Sequence, residues 1–82
     1  MGTTQSEIRS WLLKNAGKQY SHMVVFVDDF DHGDYPSYCP KGTDIKQFIA
    51  DHLKTPMTRV MEVYSYYLPI EEQLKEQRAF NY

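Results

Sequence analysis

Apolar positions in the first sixteen residues recur at helical spacing: Ile8, Trp11 and Leu12, with Ala16 a turn later. Thr4 and Glu7 stand at the spacing of a capping box and Gly17 supplies a stop, so a helix is predicted over residues 5–16. The period then changes. Across residues 20–30 β-branched and aromatic side chains occupy both parities, Met23, Val25 and Val27 on one and Val24, Phe26 and Phe30 on the other. Such a run predicts a central strand covered on both faces. A second, short strand follows "DHG" at about residues 35–39, and Pro36, which has no backbone donor, places it at a sheet edge.

Gly42 and Thr43 open a second helix over about 44–54, with Thr43 as cap, Asp44 at the positive end of the dipole and Ile45, Phe48, Ile49 and Leu53 as its buried stripe. Pro56 limits it. Residues 57–67, rich in Val, Met, Thr and Tyr, predict a third strand, closed by Leu68-Pro69. Pro69 also suits the first turn of a last helix, "IEEQLKEQRAF", with Glu71 and Glu72 early and Arg78 late. Its apolar stripe is thin: Ile70 and Leu74, with Phe80 beyond.

The order α-β-β-α-β-α makes an α+β domain, a three-stranded antiparallel sheet of order 2-1-3 with three helices. Only two helices carry a convincing apolar stripe, whereas the central strand has two faces to cover. A homodimer packed through one sheet face, or the third helix lying across it, resolves the imbalance. In the hairpin, a two-residue loop at His32-Gly33 sets Asp31 against Asp34, so a three-residue loop with Gly33 in the left-handed position is favoured. That register pairs Phe30 with Asp34, Asp29 with Tyr35 and Phe26 with Tyr38. Asp28 and Asp29 then fall on opposite faces.

Eighty-two residues supply one core, and with 41% hydrophobic and 15% aromatic residues the chain folds despite its negative mean hydropathy. A net charge of -2 argues against direct nucleic-acid binding and against an anionic membrane surface. The single Cys39 excludes an internal disulfide and a Cys-pair zinc site, the opening residues are too polar for a signal peptide, and "MVVFV" is far short of a bilayer span. The expected location is the cytoplasm. Met-Gly-Thr-Thr-Gln-Ser matches the spacing of a myristoylation signal, a short pattern that recurs by chance.

Charge matters locally instead. Asp28, Asp29, Asp31 and Asp34 lie within residues 28–34, with no Lys or Arg among them. As an EF-hand loop the stretch fails, because counting from Asp29 puts Gly33 fifth and Pro40 twelfth. Asp29, Asp31 and His32 make at most a weak divalent-ion cluster, and nothing marks a second catalytic partner for paired-carboxylate hydrolysis. His22 and His52 read as boundary residues, and Cys39 as a small filler with no flanking cation to lower its pKa. Seven tyrosines are too many for so small a core to bury every hydroxyl, and exposed Tyr beside acid is composition that suits a protein interface or a stacking platform.

"SHMVVFVDDFDHGDYPSY" with "MTRVMEVYSYYLPIEEQLKEQRAFNY" resembles a set of small uncharacterised proteins of bacteriophages and prophages. The resemblance covers most of the chain through His22-Met23, Asp28, Phe30-Asp31, Asp34-Tyr35-Pro36, the "MEVY" of residues 61–64, and Gln73, Leu74 and Arg78. Those proteins usually carry an acid where this chain has Gly33, and a second Val where it has Ser37. The resemblance transfers no functional residue; it implies a phage product acting in a bacterial cytosol. The expected function is a non-enzymatic binding protein without cofactor or metal, inhibiting a host defence or nucleic-acid-handling complex. Its expected contact residues are Asp28, Asp29, Asp31, Asp34, Tyr35 and Tyr38, against a host protein's basic groove. The alternative is a nucleotide-binding dimer using Arg59, Tyr64 and Tyr66; a weak metal-dependent hydrolase comes third.

Overall fold

Thr4 caps the first helix as its spacing to Glu7 predicts: the Thr4 hydroxyl accepts a hydrogen bond from the Glu7 backbone N–H at 3.2 Å. The computed structural model describes residues 4–16, 19–30, 33–76 and 79–82. Its elements are α1 (Gln5–Lys14), β1 (Tyr20–Asp28), β2 (Gly33–Pro40), α2 (Ile45–His52), β3 (Thr58–Ser65) and α3 (Ile70–Leu74). The sheet is antiparallel with order β2-β1-β3, so the α+β architecture and strand order follow the sequence reading. α1 ends at Lys14 with Asn15 as its cap; Gly17, assigned the stop, lies outside the described residues, as do Asp31, His32 and Arg78.

β1 is central, and its two parities enter two separate apolar clusters. Met23 and Val25 pack with Ile8 and Leu12 of α1, Tyr64 of β3, Leu74 of α3 and Ala79. Val24 and Phe26 pack with Cys39, Ile45 and Ile49 of α2 and Val63. α1 and α3 thus share one face and α2 holds the other, and the four β1 side chains between them are fully buried. Each face of β1 therefore has a helix over it, and α3 joins α1 on the first.

Three local expectations are corrected. Asp44, not Thr43, occupies the N-cap of α2, and it makes no side-chain capping bond. Leu53, expected in the buried stripe, follows the last helical residue as C-cap and is 43% exposed. The last helix runs five residues instead of eleven. Gln73 docks this short helix: it is 2% exposed, its Oε1 accepts from the Ser65 N–H at 2.7 Å, and its Nε2 donates to the Ser65 carbonyl at 2.8 Å. A polar side chain thereby fastens α3 to the end of β3 where an apolar stripe was lacking. The last four residues then run beside β3 as a parallel bridge between Phe80 and Val63. Val63 N–H donates to the Ala79 carbonyl at 2.7 Å, and Asn81 N–H to the Val63 carbonyl at 3.0 Å.

The hairpin register is the fourth correction. Asp28 pairs with Gly33, Val27 with Asp34, Phe26 with Tyr35 and Met23 with Tyr38. The shift from the expected register is odd, so Tyr38 changes face and joins the α1 side, while Tyr35 stacks on Phe26 with ring centroids 5.9 Å apart. The difference lies at the end of β1. Phe30 N–H donates to Asp28 Oδ1 at 2.9 Å and turns the chain there, so the last pair with β2 is Asp28 with Gly33, while Asp29 N–H continues the ladder toward β3 on the Met57 carbonyl at 2.7 Å. Register also shifts at Ser21 against β2 and at Met61 against β3, each leaving one residue unopposed.

Candidate functional site

The ends of the sheet differ in chemistry. At the β1–β2 turn, Asp28 spends one carboxylate oxygen on the Phe30 N–H and so fixes the start of the loop. Phe30, expected on a buried face, is 77% exposed. Asp29 leans toward β3, where Arg59 grips it in a fork: Nε lies 2.8 Å from Oδ2 and Nη2 lies 2.7 Å from Oδ1. This contact with the carboxylate raises the proton affinity of the guanidinium further. The cluster that has no cation in sequence therefore acquires one in space. Beside it Met57 is 53% exposed and holds a positive φ of 67°, a left-handed conformation unfavourable for a side chain bearing a Cβ.

Of the six residues expected to form the contact surface, Asp28, Asp29 and Asp34 lie at this end, with Asp34 opposite Val27. Asp31 lies outside the described residues. Tyr35 is partly open over Phe26, one position further along β2. Tyr38 is elsewhere: its hydroxyl donates to the Trp11 carbonyl at 2.9 Å under α1. Phe30 and Met57 are the residues that sequence reasoning missed. Phe30 carries a signal, an aromatic residue in an acidic run, but a strand running to residue 30 buries it; the backbone angle at Met57 leaves none.

Arg59, Tyr64 and Tyr66 are not brought together. Arg59 faces Val27 and Tyr64 faces Met23, four positions along β1, or roughly 13 Å at strand spacing. Tyr64 is buried, and burial, followed by the Glu62 charge, raises its pKa far above the phenol range. Tyr66, likewise raised by burial, donates its hydroxyl to the Leu12 carbonyl at 2.9 Å.

The other chemistry-bearing side chains have structural partners. His52 stacks on Phe26 at 4.9 Å and its Nδ1 lies 3.0 Å from the Phe48 carbonyl. His22 Nδ1 lies 2.8 Å from Ser21 Oγ; burial lowers its pKa, and a hydrogen bond to the Tyr82 backbone pulls weakly the other way. Cys39 is fully buried, and burial raises its thiol pKa against the opposing pull of the Ser21 hydroxyl. Among the described residues no group of three or more His, Cys, Asp or Glu is arranged to hold a metal ion, and no helix is long and apolar enough to cross a membrane. Comparison with protein families, curated proteins and solved structures finds no match for this chain.

Proposed function

We propose that this chain is a non-enzymatic binding protein that acts in a bacterial cytosol, and that its contact surface is the acidic end of the sheet. Phe30, nearly free of its own fold yet tethered through its N–H to Asp28, carries the reading. An aromatic side chain offers large contact area at low entropic cost, and carboxylates around it steer the approach of a basic surface. The Asp29–Arg59 fork supports the reading in a second way. Both groups are solvent-accessible, so an incoming Lys or Arg exchanges one ion pair for another and need not desolvate an isolated charge.

The partner class is a host protein with a Lys/Arg-lined groove, and the effect is inhibition by occupancy. The phage and prophage resemblance supplies that context. The surface differs from the one expected in sequence by gaining Phe30 and Met57 and losing Tyr38. Capture from bacterial lysate with the wild-type chain, F30A and a D28K/D34K double variant tests it, with each bound protein identified by mass. A partner retained by wild type and lost by both variants supports the reading; a partner held equally by the charge-reversed chain removes it.

A further inference from the structure

The end of the sheet opposite Phe30 carries a groove of about 440 Å³ whose walls are aromatic: Tyr20 where β1 begins, Tyr66 and Tyr67 in the turn after β3, and Pro69 beside them. Lys41 and Glu71 stand on its rim. The volume falls within the range of roughly 300–1,000 Å³ usual for ligand sites.

Two of the three rings, Tyr66 and Tyr20, are held in place before any ligand arrives. Tyr66 is locked by its hydroxyl on the Leu12 carbonyl. Tyr20 packs against Tyr38 at 5.4 Å, and Tyr38 is itself anchored on the Trp11 carbonyl. Tyr67 meets the edge of His22 at 6.2 Å with the rings nearly perpendicular, yet is 67% exposed. Its ring thus contributes little to the core and leaves a face open to solvent.

We propose that this groove binds a proline-rich segment in the polyproline II conformation, with an acidic residue placed to meet Lys41. Proline rings are flat, apolar and already ordered, so they lie against aromatic walls at small entropic cost, and the segment's unpaired carbonyls accept from the Tyr20 and Tyr67 hydroxyls, that of Tyr66 being taken by the Leu12 carbonyl. The charges select the acidic flank. Glu71 is already paired with Arg9 at 2.8 Å, whereas Lys41 makes no ion pair among the described residues. A nucleotide fits less well, because its phosphates need more than one rim cation and the groove belongs to a chain of net charge -2.

The test is fluorescence anisotropy with a labelled hexaproline peptide ending in glutamate, a matched peptide ending in lysine, a Gly/Ser peptide of equal length, and labelled AMP. Saturable binding of the glutamate peptide, weaker for the lysine and Gly/Ser peptides, is expected. Tyr67→Ala should weaken it at least tenfold; that side chain is mostly exposed, and an unchanged circular dichroism spectrum verifies the fold. Lys41→Glu should invert the preference between the two proline peptides, and D28K/D34K should leave binding unchanged. Absence of saturable peptide binding to folded wild type, an unaltered affinity in Tyr67→Ala, or a preference for AMP each overturns the proposal. None of these results bears on the acidic end.

Discussion

The two ends of the sheet are built from opposite kinds of interaction. At the Phe30 end the loop rests on half-buried carboxylates, a solvent-accessible fork between Asp29 and Arg59, and Met57 in a left-handed conformation. At the Tyr67 end the turn after β3 hangs on hydrogen bonds, the buried pair from Gln73 to both backbone groups of Ser65, Tyr66 N–H on the Ser21 carbonyl at 2.8 Å, and the part-buried Tyr67 N–H on Ser65 Oγ at 3.1 Å. Exposed ion pairs contribute little to stability and rearrange readily, whereas a buried polar group that loses its partner costs the full desolvation of that group. One end is therefore suited to adjust to a partner, and the other to present a fixed wall.

The sharpest way to break this contrast is Gln73→Ala. It strands the buried Ser65 N–H, leaves the Ser65 carbonyl only the long bond from Leu68 N–H at 3.5 Å, and opens a cavity, so a loss of about 3 kcal/mol is expected by urea denaturation. Amide exchange in the variant should accelerate at residues 65–68 before it does at residues 28–30. Met57→Gly has the opposite sign. Relief of left-handed strain outweighs glycine's extra freedom in the unfolded chain, for a net gain of roughly 0.5–1 kcal/mol. An unchanged or lower midpoint would show that the angle at Met57 carries no strain.

A pH titration separates the ends further. His22 has a folded-state pKa below its ordinary 6.5 because burial disfavours the imidazolium. As pH falls through 6.5 the unfolded chain takes up a proton that the folded chain resists, so stability declines down to the folded-state value and stays level below it. His22→Gln should flatten that part of the curve, measured as the urea midpoint against pH. The smallest effect on stability is expected from Arg59→Ala, which removes only an exposed pair and should barely move the midpoint. It uncovers Asp29, however, so retention of the chain on a polylysine surface should rise at low salt, with the difference fading above about 0.1 M.

Local signals were legible where local chemistry decides the structure. Thr4 and Glu7 marked the start of α1, and the two-sided apolar run of β1 announced a central strand with a core on each face. The order β2-β1-β3 follows from connection lengths and handedness, which the chain carries in plain view. The hairpin register was illegible because it turns on where β1 ends: pairing with β2 stops at Asp28 and Gly33, where the Asp28 carboxylate takes the Phe30 N–H, instead of running on to Phe30. The end of the chain was misread for a related reason. Its composition suits a helix, but Gln73 and the free edge of β3 offer the backbone other partners, and tertiary contact overrides propensity. Phe30 faces solvent because β1 ends two residues before it, so the strand alternation that would bury it no longer applies.

The segment beside β3 has a consequence for behaviour in concentrated solution. A sheet with bare flanks invites a neighbour's backbone to extend the ladder, the first step toward fibres. Here one flank carries Pro36, which has no N–H to offer, and the other is roofed by residues 79–82 through the bridge to Val63. Deleting those four residues unroofs the second flank, and the shortened chain should polymerise at concentrations where the intact one stays dispersed.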